Sequence, residues 1–405
     1  MNVSDLIAAA EEKYQDKFKA IDAIALANQT KVLDAFTECR VSSRHFMPSN
    51  GYGYGDDARD KLGELFATIF RTESALVSPH FASGTHTLAC ALFGVLRPGN
   101  IVLVLTGRPY DTLQSVIESV GTGSLADFGI SFEYVPLVDG HPNKDEIAER
   151  LSANKYAALY IQRSPGYERR KAFSVSEIAE MIDLAKKYTD APVIVDNCYG
   201  EFVETTEPPE VGADLIVGSL IKNPGGAMAP TGGYIAGKKA LVDLAAMRLT
   251  APGIGAEVGS YEHTHRNFYQ GLFMAPHIVA QARKGGLLVA AVLGSLGYGV
   301  FPSADDETGD IVRVIDFGDK EKMIAFCQAV QAASPVDGFA TPEPWDMPGY
   351  NDQVIMAAGT FVQGSSIELS ADAPVRPPYS LYVQGGITYE HTRIALERCL
   401  IALGS

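Results

Sequence analysis

The chain is short of paired cysteines, of positive charge and of long apolar runs, and each deficit closes a class of function. Its five cysteines (Cys39, Cys90, Cys198, Cys327 and Cys399) stand apart with no C-x-x-C pair. Neither a zinc site nor a disulfide framework is expected, and no metal. Lysine and arginine number 33 against 49 acids, a net charge of −16, which repels nucleic acid and anionic membrane alike. No stretch of about 18 apolar residues offers a membrane span. Residues 1–19 carry several acids where a secretory leader would have its apolar centre. A cytoplasmic protein is expected, with no nucleic-acid and no membrane partner.

What is present is an α/β pattern. A chain of 405 residues suggests one large domain and a smaller one. Leu6, Ile7, Ala10, Tyr14, Phe18 and Ile21 recur at helical spacing over residues 3–36, with Ser4 as candidate N-cap. Whether this arm serves an oligomer contact or the small domain is left open. The loop Asn50-Gly51-Tyr52-Gly53-Tyr54-Gly55-Asp56 interrupts helix with its glycines, and a helix is expected over Asp57–Phe70. Apolar strands at 100–106, 157–162, 192–195, 211–217 and 231–237 then alternate with helices, which marks a mainly parallel sheet. Beyond about residue 300 the pattern changes. Strands are expected over Ile311–Ile315, Thr360–Leu369 and Tyr379–Gln384, with helices over Lys320–Ala333 and His391–Leu403. The expected organisation is a helical arm (1–48), a large domain (49–298) and a C-terminal α+β domain (299–405).

Four stretches carry chemistry. Lys222 lies in Gly218-Ser219-Leu220-Ile221-Lys222-Asn223-Pro224-Gly225-Gly226, just past the apolar Leu215–Val217. An amine so placed is expected to have a lowered pKa and to condense with an aldehyde as a Schiff base; by itself it also reads as a surface-loop lysine. Ser83-Gly84-Thr85 opens an apolar helix, either as a plain cap or as a phosphate cradle. Tyr110 follows a buried strand at the end where open sheets bind ligands, or packs on its own helix. Asp196 ends another strand, capping the next element or pairing with a cation. Each has a purely structural explanation when taken singly. Together, and in this order, they are the parts of a pyridoxal 5′-phosphate (PLP) site: phosphate turn, stacking aromatic, acid for the pyridine nitrogen, and lysine with a serine three before it.

The chain closely resembles the methionine gamma-lyase-like, or aluminium resistance protein, family of Cys/Met-metabolism PLP enzymes. The resemblance rests on Gly51–Gly55, Ser83–His86, Arg108–Thr112, Val195–Glu204, Gly218–Gly226, Pro344–Tyr350 and Ser366–Asp372. It implies a PLP-dependent transferase-like fold of type I, with a mainly parallel seven-stranded sheet in the large domain. It implies Lys222 joined to the cofactor and moving protons, Asp196 on the pyridinium nitrogen, and Tyr110 stacked on the ring. Ser83, Gly84, Thr85, Cys198 and Ser219 join the cofactor-binding set, and Tyr54 reaches the site of a neighbouring subunit. A homodimer would then be the minimal active unit and a tetramer the expected assembly. Arg376 is the choice for the substrate carboxylate and Arg163 its rival, because a guanidinium fork matches a carboxylate.

The implied reaction is γ-elimination on a γ-substituted L-amino acid such as methionine, homocysteine, cystathionine or an acylated homoserine. β-Elimination, γ-replacement and a non-catalytic PLP-binding stress protein are the alternatives. Three departures from the family pattern stand out. The arginine two beyond the cross-subunit tyrosine is missing, with Arg59 as stand-in. Ser78 and His80 replace an arginine and a glutamine, and Ala227 replaces a third glycine.

Overall fold

The computed structural model describes residues 2–347 and 352–404; Pro348, Gly349 and Tyr350 of the motif quoted above lie outside them. Asn2, rather than Ser4, caps the first helix, α1 (Val3–Lys13), by accepting the Asp5 N–H. Helix α2 (Gln15–Glu38) follows. The arm belongs to neither domain alone: Val3, Leu6 and Ile7 of α1 pack into the C-terminal core, while Val32 and Ala35 of α2 pack into the large one.

The large domain alternates helix and strand, from α3 (Asp57–Ile69), β1 (Ser74–Ser78), α4 (Gly84–Val95), β2 (Ile101–Val104), α5 (Asp111–Glu118), β3 (Ser131–Tyr134) and α6 (Lys144–Ala153) onward. It continues through β4 (Ala158–Gln162), α7 (Val175–Ala185), β5 (Val193–Asp196), β6 (Leu215–Ser219), β7 (Gly233–Gly237) and α8 (Lys239–Leu249). The strands form a seven-stranded sheet in the order β1-β7-β6-β5-β4-β2-β3. It is mostly parallel, with β7 antiparallel to both of its neighbours. Alternate side chains of the central strands enter two cores: Leu103, Leu159 and Val195 on one face, Val102, Tyr160 and Ile194 on the other. Burial on both faces is why these strands read as unbroken apolar runs. Strands β1 and β3 escape the sequence reading because β1 includes serines at both ends and β3 is only partly buried.

Helix α9 (Arg266–Ser295) links the two cores. It is long and apolar enough to pass the length and composition test for a membrane span, but 67% of its most apolar window is buried inside the protein. The C-terminal part then runs β8 (Gly299–Phe301), β9 (Val312–Asp316), α10 (Lys320–Ala332), β10 (Val354–Ala357), β11 (Ser370–Pro374), β12 (Ser380–Gln384) and α11 (Tyr389–Ala402). Its strands form an antiparallel sheet in the order β10-β11-β12-β9-β8. The strand expected over Thr360–Leu369 is absent. The Phe361 and Val362 N–H groups are taken instead by the Glu368 carboxylate, at 2.9 and 3.0 Å, which folds this stretch into turns between β10 and β11.

One close approach fixes the lysine loop. A Cβ on Gly271 of α9 would lie 2.1 Å from the Gly225 carbonyl oxygen, and one on Gly226 2.1 Å from the Gly271 oxygen. The loop therefore docks on α9 backbone to backbone, where only glycine fits. Gly271→Ala is expected to destabilise the fold by about 1–3 kcal/mol through overpacking, read as a lowered denaturation midpoint at unchanged slope.

Candidate active site

The carboxyl ends of the parallel strands meet the C-terminal sheet around a cavity of about 520 Å³, lined by Tyr110, Asp196, Cys198 and Lys222 from one side and by Asp372 and Arg376 from the other; the N-terminus of α4 lies beside it, with the Thr85 Oγ1 3.1 Å from the Tyr110 hydroxyl. Lys222 stands three residues past the end of β6. The next residue pins it: the Asn223 Nδ2 donates to the carbonyls of Tyr199 and Glu201, each at 2.9 Å. That turn is strained, since Tyr199 and Phe202 are held at φ +71° and +62°. The Lys222 Nζ lies 4.0 Å from the centroid of the Tyr199 ring, a cation–π distance. Burial works against its charge, but the nearby Cys198, Tyr199, Asp196 and Tyr110 outweigh it and hold its pKa well above the usual lysine value. The lowered pKa expected from the sequence is thus reversed, because groups outside the lysine loop, Cys198 first among them, come within electrostatic reach.

Asp196 is the last residue of β5, buried, and accepts the Cys198 N–H at 3.1 Å. Burial pushes its pKa up, against the downward pull of Lys222. Tyr110 is anchored by its own N–H, which donates to the Gln162 Oε1 at 2.9 Å. Its hydroxyl lies 3.1 Å from the Thr85 Oγ1, which lies 3.1 Å from the Thr112 Oγ1. Burial raises the Tyr110 pKa, so the phenol remains a proton donor at neutral pH.

At the start of α4 the Ser83 side chain accepts the His86 N–H at 3.1 Å. The Ser83 side chain is therefore spent on capping the helix and is exposed, as the simpler of its two explanations had it. Gly84 and Thr85 occupy the first two helical positions, whose N–H groups have no intrahelical acceptor. A Cβ on Gly84 would stand 3.4 Å from the Ser219 Cβ and 3.8 Å from the Cys198 Sγ. The Ser219 Oγ facing this space is buried with no hydrogen-bond partner among the described residues. Such an orphaned hydroxyl beside free N–H groups at a helix N-terminus is a site for an anion. With an amine, a carboxylate and an aromatic in the same cavity, these residues fit PLP: donors for its phosphate, an acid for its ring nitrogen, a ring face, and an amine for its aldehyde.

Not every candidate arrives here. Arg163 is completely buried and spends its guanidinium on Phe173, Asn197, Gly200 and Glu204, so it leaves the substrate-binding set as a core ion-pair residue. Arg376 does line the cavity, paired with Asp352 at 2.8 Å. Arg59 does not reach outward as a stand-in for the missing arginine, because its Nη1 donates to the Gly53 carbonyl of its own loop at 2.9 Å. The Ser78 Oγ accepts the His80 N–H and the His80 Nε2 lies 2.9 Å from the Ser260 carbonyl, away from the cavity lining. Ala227 adopts φ +59° where the family has glycine. Tyr54 is 70% exposed, its ring beside that of Tyr52, and it takes no part in its own chain's cavity.

Fold and site together define a fold type I PLP-dependent enzyme. Sequence comparison makes this narrower: the family model described as methionine gamma-lyase matches residues 3–403, and the chain belongs to that family. Its cofactor is PLP, and by class it is a PLP-dependent carbon–sulfur lyase. Among solved structures the chain is similar to a protein from Listeria monocytogenes involved in aluminium resistance (51% identical, TM-score 0.97, covering 99% of this chain and 100% of that one). It is also similar to a carbon-sulfur lyase involved in aluminium resistance from Clostridium novyi NT (50% identical, TM-score 0.95, covering 98% and 95%). The uncharacterised protein YnbB of Bacillus subtilis is 49% identical over 93% of this chain and 91% of its own length.

One buried acid has no signal in the sequence beyond its place in a quoted run. The Glu201 Oε1 accepts the Tyr234 hydroxyl at 2.8 Å, and a Cβ on Gly218 of β6 would lie 2.5 Å from that oxygen. Burial raises the Glu201 pKa from 4.5 to about 8. The folded chain therefore keeps a proton that the unfolded chain releases, and Glu201 makes stability fall as pH rises from about 4.5 to 8. Glu201→Gln should remove that loss. Urea unfolding is expected to show the variant gaining on wild type from pH 5 to pH 8 and gaining nothing further above it; parallel pH profiles would refute the assignment.

Proposed function

We propose that the chain catalyses elimination of the γ-substituent from a γ-substituted L-amino acid, in the cytoplasm. The observation that carries this is that the Lys222 amine shares one cavity with Asp196 and Tyr110, and that the α4 N-terminus with the Ser219 hydroxyl adjoins it through the Thr85–Tyr110 contact, each from a different βα unit. When bound, PLP would supply the electron sink that drains negative charge from the substrate's Cα. Asp196 would keep the ring nitrogen protonated, and the Gly84 and Thr85 N–H groups with the Ser219 Oγ would hold the phosphate. Once the substrate's amine has taken its place on the cofactor, the Lys222 Nζ would be released as a neutral amine, take the proton at Cα, hand it on to the cofactor side and so be free to take a second from Cβ, within reach of a single flexible side chain. The Tyr110 hydroxyl, kept protonated by burial, stands to protonate the departing heteroatom. Arg376 would bind the carboxylate, exchanging Asp352 for it.

The working unit of this proposal is a homodimer or a tetramer built from dimers. Tyr52 and Tyr54 are 73% and 70% exposed, yet their loop is rigid: the Ser260 Oγ donates to the Gly51 carbonyl at 2.7 Å and Arg59 braces Gly53. A fixed loop offering bare aromatic rings suits insertion into a neighbour, with Tyr54 reaching the neighbour's cofactor phosphate.

Assaying S- and O-substituted homoserines beside S-substituted cysteines tests the reaction. Release of 2-oxobutanoate from the former supports γ-elimination, and pyruvate from the latter alone would replace it with β-elimination. Lys222→Ala is expected to keep its circular dichroism and lose turnover by about 10²–10⁴-fold; near-native activity would overturn the assignment. Mixing Lys222→Ala with Tyr54→Ala, both weak alone, should restore about a quarter of wild-type activity through hybrid dimers, and no recovery would mean that Tyr54 serves no neighbour.

A further inference from the structure

A further charged group faces the cavity, and the chemistry proposed above gives it no work. Asp372 is the middle residue of β11. Ala371 and Ala373 on either side of it turn into the C-terminal core, so the period of two along a strand turns Asp372 to the opposite face. Its paired residues there are Met356 on β10 and Tyr382 on β12, and all three line the cavity.

The carboxylate is oriented from two directions. The Tyr167 hydroxyl donates to its Oδ2, and the Gln384 Nε2 donates to its Oδ1 at 3.2 Å. Both donors are neutral, and among the described residues Asp372 enters no ion pair. The arginines of the same cavity are already matched, Arg376 with Asp352 and Arg108 with Glu118. Burial raises the pKa of Asp372 to about 6, which still leaves it ionised at neutral pH. A carboxylate set in a cavity wall without a counter-cation is costly for the empty protein, and the missing charge is one that a ligand can bring.

We propose that Asp372, positioned by Tyr167 and Gln384, binds a cationic nitrogen carried on the far part of the substrate's side chain. Preferred substrates are then α-amino acids whose leaving group bears an ammonium, rather than those that lose a neutral alkyl thiol. The selection has two sides: the ammonium gains a charge-assisted hydrogen bond, and an uncharged side chain must strip water from Asp372 with nothing in return. This inference rests on the amino-acid lyase reading of the same cavity.

L-Lysine and L-norleucine test it without turnover. They have the same carbon chain and the same α-ammonium and carboxylate, lack a leaving group at Cγ, and differ in the terminal ammonium. In calorimetric titrations of the PLP-loaded protein, wild type should bind lysine at least about tenfold more tightly, the discrimination expected of one charged hydrogen bond. In Asp372→Asn the ratio should fall to near one. Equal affinities in wild type would overturn the proposal even if the variant failed to fold, and so would a preference that survives in the variant or two affinities weakened alike. A protein that eliminates from sulfur amino acids yet shows no such preference would lose the charge-reading role alone. One that eliminates from none would lose the underlying activity as well.

Discussion

The amine of Lys222 is useful only because its loop cannot move. Asn223 ties the loop to the strained turn at Tyr199–Phe202, and Gly225 and Gly226 press it onto the backbone of α9 at Gly271. The loop is thus clamped between the turn that follows Asp196 and the helix that links the two cores. The energy that holds two residues at positive φ comes from the packed elements around them, the usual situation for strain stored at a site. The Tyr199 ring then serves as a ledge beneath the ammonium, and Asp196 sets its charge environment.

The rest of the architecture supplies what this fixed amine needs. A parallel sheet brings the ends of β4, β5 and β6 to one edge, so residues more than fifty positions apart meet there, as they do in open α/β sheets generally. The antiparallel sheet adds the other wall. Its Ile355, Ala371, Ala373, Leu381 and Val383 face α10 and α11, and this leaves Met356, Asp372 and Tyr382 on the face turned to the cavity. The two walls are joined by the Tyr167 ring, 4.7 Å from that of Tyr382, and by the Ser164 hydroxyl on Asp310 at 2.8 Å. Cavity shape is therefore tied to how the two sheets dock.

Much of the α/β framework was legible in the sequence because central parallel strands bury both faces and helices keep a 3.6-residue period. Edge elements were less so. Strand β3 is only partly buried, and Thr360–Leu369 looked like a strand until Glu368 took its N–H groups. Among the site residues, Lys222, Asp196, Tyr110 and Ser219 announce themselves by type and order. Arg163 misled because an arginine carries no mark of which carbonyls it will meet, and Ser83 shows the same ambiguity, since a serine cap and a phosphate-binding serine have the same local sequence.

Family, cofactor and the order of the chemical groups were already set in the order of residues, since they depend on residue type and on spacing along the chain. It took the folded chain to show which arginine lines the cavity, that the Lys222 pKa goes up rather than down, and that Asp372 lies in the wall with no ion-pair partner among the described residues. Those outcomes depend on distances between residues remote in the chain, and an electric field is a sum over space that local sequence does not contain.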